Sequence, residues 1–153
     1  MGNRRRAREL ALQTLYALEK RPEAVNDAVA NMRRWATETE SSENDNADLL
    51  RGGEDIQSFA EKIVRGVAAN LQTIDDRIGQ CSTNWKVPRM AAVDRNILRL
   101  ATYELMHLGD IPPKVTLNEA IEIAKRYGTE ESGAFINGIL DRIASLEKSP
   151  PAG

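Results

Sequence analysis

Residues 56–71 read IQSFAEKIVRGVAANL and carry the clearest helical pattern of the chain. Its apolar residues recur at the spacing of a helix, so that one side is apolar and the opposite side is polar. The apolar side consists of Ile56, Phe59, Ala60, Ile63, Val64, Val67 and Leu71. The pattern predicts an amphipathic helix that kinks near Asn70 and continues through Ile74 and Ile78.

The same helical spacing recurs on both sides of this stretch. It marks a first segment at Asn3–Lys20, a second after Pro22, another that Pro88 opens, and a last one around Ser132–Glu147. Sustained alternation of apolar and polar residues, which is typical of strands, does not occur. We therefore expect an all-α fold, a single domain of about seven helices packed as two helical-bundle halves.

Composition and helix spacing together predict the domain boundaries. The helical domain is expected at 1–148, with an N-terminal half at about 3–80 and a C-terminal half at about 86–147. An acidic stretch at about 37–53 is predicted to be a flexible linker. Residues 149–153 are expected to form a disordered tail.

One helix start is predicted from a local motif. Thr116-Leu117-Asn118-Glu119 matches a capping box, in which the first and fourth side chains satisfy free backbone N–H groups. The motif predicts that the sixth helix begins at Thr116.

The charge of the chain is unevenly distributed. The 153 residues carry a net charge of -2, and 29% of them are charged. Residues 1–8 nevertheless hold four arginines and no acid, whereas residues 38–55 are strongly acidic. Local charge decides where a polyanion docks, so the basic start is a candidate binding surface despite the acidic total.

The residues that could support catalysis are few. His107 is the only histidine, which argues against a histidine-rich metal site. Cys81 is the only cysteine, and no basic residue follows it until Lys86. Glu119 and Glu122 share a helical face, where paired carboxylates are more often solvated than catalytic. We expect no catalytic residue, no metal site and no cofactor.

The composition also indicates the cellular compartment in which the protein works. A single cysteine permits no intramolecular disulfide and favours a reducing environment. No apolar run reaches the length of a membrane span. Glu9, Gln13 and Thr14 break any apolar core after the basic start. The expected location is the cytoplasm.

The arginine run lies on a predicted helix. That helix would bury Ala7, Ala11, Leu15 and Leu18 and turn the opposite side outward, with Arg5, Arg6, Glu9, Gln13 and Tyr16. Guanidinium groups match phosphate oxygens, a glutamine can reach base edges, and a tyrosine ring can stack on an unpaired base. Cations at a helix N-terminus oppose the macrodipole, which argues for a role beyond a solvated surface. The residues alone leave both interpretations open.

Four blocks of sequence resemble one family. They are residues 4–16, 93–105, 111–125 and 135–141, in this order and over nearly the whole chain. Together they resemble the NusB family of bacterial transcription antitermination factors. The resemblance implies an all-helical protein in two bundled halves. It also implies binding of boxA RNA together with the ribosomal protein NusE, within an antitermination complex on RNA polymerase that supports ribosomal RNA transcription.

The resemblance also implies roles for particular residues. The predicted RNA-binding residues are Arg4, Arg5, Arg6, Arg8, Gln13, Tyr16, Glu131 and Phe135. Phe135 would stack on a base, and Glu131 occupies a position that tunes RNA or partner affinity in the family. The residues predicted to face the ribosomal-protein partner are Asp94, Arg95 and Arg99.

Several alternatives stay open at this point. Phe135 could belong to the core, and Asp94, Arg95 and Arg99 could be ordinary surface charges. The chain could also be a helical protein-binding adaptor without sequence-specific RNA recognition. An RNA methyltransferase would need an α/β domain, for which the helices leave no room. A homodimer formed through the arginine-rich face would hide the RNA site.

Overall fold

The computed structural model describes residues 3–40 and 56–148. Within these ranges the chain forms seven α-helices and no strand, which confirms the predicted all-α fold. The helices are α1 (Asn3–Leu18), α2 (Val25–Glu40), α3 (Ile56–Ala69), α4 (Leu71–Cys81), α5 (Ala92–His107), α6 (Pro113–Tyr127) and α7 (Ser132–Lys148). Short 3-10 helices precede α2 at Pro22–Ala24 and α5 at Val87–Arg89.

The chain divides into two compact units, Met1–Ala69 and Asn70–Gly153. In the first unit, α3 packs on both α1 and α2. The apolar side of α3 is fully buried, as its spacing predicted, from Ile56 to Val67. Burial of this stripe contributes to the hydrophobic core of the first unit.

An acidic side chain connects α2 and α3. The Oε1 atom of Glu61 lies 3.0 Å from Nε of Arg33 on α2, and its Oε2 atom accepts a 2.7 Å hydrogen bond from Nε of Arg65. Arg65 also donates to Asn26 on α2 at 2.9 Å. The hydrogen bond from Arg65, assisted by the charge of Arg33, lowers the pKa of Glu61. The cluster therefore favours the charged carboxylate.

The second unit is built around α5, which packs against α4, α6 and α7. Its core includes Ile97, Leu98 and Leu100 of α5, all almost fully buried. The α4 and α7 helices are joined by an ion pair between Arg77 and Glu147. Each unit thus has a hydrophobic core of its own.

The predicted kink at Asn70 is a break between two helices. Asn70 separates α3 from α4, and its carbonyl accepts the hydrogen bond of the Ile74 amide at 2.9 Å. The N-terminal half was predicted to extend to about residue 80. In the structure, α4 packs on α5 and α7 and belongs to the second unit.

The capping-box prediction at Thr116 is wrong. The α6 helix begins at Pro113, directly after Pro112, because a proline at the first helical position loses no hydrogen bond. Thr116 is therefore inside the helix and buried, where its hydroxyl donates to Glu104 at 3.2 Å.

Two predicted segments fall largely outside the described residues. Of the predicted linker at 37–53, positions 37–40 continue α2, and the rest is not described. The tail at 149–153 also lies outside the described residues.

Candidate nucleic-acid interface

The α1 helix separates buried and exposed side chains as its pattern predicted. Ala7, Ala11, Leu15 and Leu18 are buried. Arg6, Gln13 and Tyr16 are exposed, and 53% of Tyr16 is accessible to solvent. Since these three positions share one side of a helix, they form a continuous surface, here called the α1 face. This surface carries a cation, an amide and an aromatic ring.

Arg8 does not belong to that surface, although it is one of the predicted RNA-binding residues. Its side chain is 2% exposed, and its Cζ atom lies 5.5 Å from the ring centroid of Phe59 on α3. The Arg4 Cζ atom lies 4.6 Å from the same centroid, and the Lys62 Nζ atom lies 5.9 Å from it. Arg4 and Arg5 are partly buried. Arg6 is thus the most exposed arginine of the run.

The ring of Phe59 explains how cations can stand at the start of α1. The first turn of α1 contains no acid, so the helix macrodipole disfavours these charges. An aromatic face attracts cations by about 0.5–2 kcal/mol, an attraction that is larger in desolvated sites. Phe59 therefore offsets the unfavourable dipole and attaches the arginine-rich turn to α3.

The remaining predicted RNA-binding residues belong to the second unit. Glu131 directly precedes α7 and is exposed, while Phe135 lies in the first turn of α7 and is partly buried. The Phe135 amide donates to the Glu131 carbonyl at 3.1 Å. Phe135 is therefore neither a core residue nor a fully exposed ring. Each unit holds its own set of predicted RNA-binding residues.

A shallow groove adjoins these residues between α6 and α7. It has a volume of about 550 Å³ and is lined by Ile121 and Lys125 of α6 and by small residues of α7, including Gly133 and Ala134. The turn between the helices is tight. A side chain on Gly128 would place its Cβ 2.9 Å from the Ala124 carbonyl oxygen. Glycine is required there for space.

Asp94, predicted to face a partner, binds the start of α7. The Ser132 hydroxyl donates to Oδ1 of Asp94 at 2.7 Å and accepts a 2.9 Å hydrogen bond from the Thr129 amide. Asp94 is in the first turn of α5. It therefore fixes the start of α7, beside Glu131 and Phe135.

Arg95 and Arg99 are also engaged within the second unit. Arg95 donates to the carbonyl oxygens of Met90 at 2.7 Å and Val87 at 3.2 Å. Arg99 makes two hydrogen bonds of 2.9 Å to the carboxylate of Asp75 on α4. Because these side chains bind neighbouring elements of their own unit, contacts with a partner stay a prediction.

The candidate catalytic groups have ordinary structural surroundings. Burial raises the pKa of the Cys81 thiol, which disfavours the nucleophilic thiolate. His107 is exposed and stacks on Tyr103, with ring centroids 5.2 Å apart. Within the described ranges, no group of three or more His, Cys, Asp or Glu side chains could hold a metal ion.

The role of Phe59 was missed in the sequence. Its position in the α3 stripe predicted burial, but not that cations would surround its ring. No local signal would have indicated this, because residues 4–8 and 59 meet only when α1 packs on α3.

A separate finding concerns membranes: none of the described helices is both long enough and apolar enough to cross one.

The α1 face of this all-α chain holds the side-chain types with which nucleic-acid-binding proteins contact phosphates and bases. Comparison with known proteins makes the class specific. Residues 5–145 match the model of the NusB family, and the chain belongs to this family.

Relatives of similar length support this membership. The chain is 49% identical over 142 residues to the transcription antitermination protein NusB of Anaeromyxobacter sp. (strain Fw109-5), covering 93% of this chain and 90% of the relative. It is 47% identical over 145 residues to the protein of the same name from Citrifermentans bemidjiense, covering 95% and 96%.

Solved structures agree with the fold. NusB of T. maritima superposes with a TM-score of 0.75 at 44% identity, covering 93% of this chain and 90% of that one. A chain from a crystal structure of the antitermination factors NusB and NusE in complex with dsRNA gives a TM-score of 0.73 at 26% identity, covering 95% and 98%.

Proposed function

We propose that this protein is an RNA-binding transcription antitermination factor. It binds boxA-like single-stranded RNA together with the ribosomal protein NusE and supports ribosomal RNA transcription as part of a complex on RNA polymerase. The observation that carries the proposal is the α1 face, with exposed Arg6, Gln13 and Tyr16, in a chain that belongs to the NusB family. The names of its relatives support the antitermination role, and the structure of NusB and NusE with dsRNA supports RNA and NusE as partners.

The chemistry of the α1 face favours single-stranded RNA. Arg6 supplies a charge that binds phosphate without reading sequence. Tyr16 presents a ring to solvent, and aromatic side chains of RNA-binding proteins stack mostly on unpaired bases. Gln13 lies between them and can hydrogen-bond to the edge of a base. Phe135, partly exposed in the second unit, offers another stacking surface.

The proposed role is non-catalytic and cytoplasmic. Its relatives are named transcription antitermination proteins, and the proposal assigns no catalytic residue, cofactor or metal to the chain. The raised pKa of Cys81 favours its neutral thiol and a structural role. Nascent RNA and ribosomal protein meet in the bacterial cytoplasm, which is where the proposed function places this chain.

Binding to labelled RNA tests the proposal directly. Fluorescence anisotropy should show that the protein prefers boxA RNA over a scrambled RNA of the same composition, and that added NusE strengthens the binding. Replacing both Arg5 and Arg6 by alanine should weaken the binding. A protein that binds both RNAs equally, with or without NusE, would instead be the helical adaptor considered above.

Self-association is a separate part of the proposal. A homodimer that used the α1 face would cover Arg6 and Tyr16 and compete with RNA. Sedimentation velocity should then show that boxA RNA shifts the protein from dimer to monomer. Equal RNA affinity of dimer and monomer would contradict a dimer formed through this face.

A further inference from the structure

We propose a second RNA-stacking site on the loop between α4 and α5, with Trp85 as its platform. This inference rests on the proposed function, because it extends the RNA-binding surface of the second unit. The site is the α4–α5 loop, residues 82–91, and its ligand is a nucleotide of single-stranded RNA outside the segment bound near Phe135.

Trp85 is unusually exposed for a tryptophan in a rigid loop. Its side chain is 53% accessible, the same fraction as that of Tyr16 on the α1 face. The preceding turn is closed by the Ser82 hydroxyl, which donates to the Trp85 carbonyl at 2.7 Å. A large aromatic ring held in solvent by an ordered backbone is costly to leave uncovered, and it suits a partner with a flat face.

The charges beside Trp85 favour a nucleic acid. Lys86 and Arg89 are both exposed, and residues 82–91 contain no acid. An aromatic ring flanked by cations is the arrangement by which proteins hold single strands, with the ring stacking on a base and the cations binding phosphates. An acidic protein segment could use the cations, but it would leave the indole face without a partner of matching shape.

The loop is attached at both ends to elements near Phe135. At its start, Arg142 of α7 donates to the Cys81 carbonyl at 2.8 Å. At its end, Arg95 donates to the Met90 carbonyl, and the neighbouring Asp94 binds Ser132 at the start of α7. Ser132 and Arg142 are ten residues apart on α7, or about 15 Å along the helix axis.

The cations of the α4–α5 loop complement the acidic start of α7. Residues 130–135 contain two acids and no cation, and Lys125 of α6 is the one cation among the described residues that line the adjoining groove. Lys86 and Arg89 of the loop can bind the backbone of an RNA strand whose base stacks on Phe135. Trp85 would then hold a base farther along the same strand.

The test measures RNA affinity in the absence of NusE. The probes are boxA RNA and the same RNA extended at both ends by short oligouridine runs. Trp85→Ala should weaken binding of the extended RNA by about tenfold, which corresponds to the loss of one stacked base. Trp85→Phe, which retains a ring, should restore most of the affinity. Trp35→Ala, which removes the partly exposed indole of the first unit, is the matched control and should change little.

A second measurement follows the indole itself. In the Trp35→Phe variant, Trp85 is the only tryptophan, and its emission should be quenched by the extended RNA. In the Trp85→Phe variant, the emission of Trp35 should stay constant. Unchanged Trp85 emission, together with wild-type affinity of Trp85→Ala, would overturn the inference while boxA binding upholds the proposed function.

Two further outcomes separate the hypotheses. If Trp85→Ala weakens binding only when NusE is present, the loop contacts protein and the inference fails. If boxA RNA and scrambled RNA bind equally but oligouridine still quenches Trp85, the stacking site stands and the proposed sequence-specific function fails.

Discussion

The α1 helix of the first unit and the start of α5 in the second unit both carry arginines that the sequence singled out. On α1, Arg6 is exposed, and the neighbouring Arg8 is buried against Phe59. On α5, Arg95 and Arg99 both bind elements of their own unit. Arg6 and Arg8 therefore differ in role because they occupy different sides of the same helix. A run of arginines predicts a binding surface only for those members that the fold leaves exposed.

The largest effect is expected at Phe59, which organises the arginine-rich turn. Phe59→Ala should lower the free energy of unfolding by about 3–5 kcal/mol, because it empties a fully buried site and removes the ring that holds Arg4 and Arg8. Urea denaturation measures the loss. Phe59→Leu keeps most of the apolar volume and should cost less stability, while still weakening RNA binding. If Phe59→Leu leaves RNA affinity unchanged, the ring does not position the arginines.

An intermediate effect is expected at Arg99. Arg99→Ala should cost about 2 kcal/mol of stability, because it removes two charge-assisted hydrogen bonds to Asp75 from a largely buried site. Arg6→Ala, on the exposed side of α1, should change stability by less than about 0.5 kcal/mol. A double-mutant cycle with Asp75→Ala should give a coupling energy of about 1 kcal/mol or more. A coupling energy near zero would show that the pair with Asp75 does not stabilise the fold, which would favour the predicted contact of Arg99 with a partner.

These two regions also show how much of the molecule the sequence could predict. The all-α class, the α3 stripe and the buried side of α1 followed from helical spacing, since that pattern is local. The break at Asn70 was predicted as a kink. The burial of Arg8, the bond between Asp94 and Ser132 and the start of α6 at Pro113 were not predicted.

The misses have a common physical cause. Arg8 and Asp94 acquire their partners from residues 51 and 38 positions away in the chain, which only tertiary packing brings together. Packing also explains why Thr116 does not cap α6, because its hydroxyl donates to the buried carboxylate of Glu104. Local patterns identified the helices, whereas the partners of polar side chains depended on how the helices pack.

A smaller effect is expected in the salt dependence of RNA affinity when single arginines are replaced. Arg6→Ala should flatten the dependence of log affinity on log salt by about 0.7, the contribution of one phosphate contact in a single strand. Arg34→Ala on α2 removes an equal charge from an exposed residue outside the α1 face and is the control. Titrations of boxA RNA at several salt concentrations give both slopes. Equal slopes for Arg6→Ala and Arg34→Ala would show that Arg6 does not contact phosphate and that the RNA surface lies elsewhere.

The smallest effect concerns pH and the α2–α3 cluster. The Arg65 guanidinium lowers the pKa of Glu61 below its ordinary value of 4.5. Because the folded-state pKa is the lower one, the stabilisation is complete above the unfolded pKa and is lost as pH falls through the folded pKa. The melting temperature of Glu61→Gln should therefore fall less than that of the wild type between about pH 5 and pH 3. Glu122→Gln, which removes an exposed pair with Lys125, is the control. A wild-type pH profile in Glu61→Gln would show that the cluster contributes nothing to acid sensitivity.

Amide chemical-shift mapping with boxA RNA locates the bound RNA on the protein. The largest shifts are expected on α1, around Arg6 to Tyr16, and at the start of α7, around Glu131 to Phe135. Shifts confined to the α2–α3 cluster around Arg33 and Glu61, with none at Arg6 or Tyr16, would contradict it.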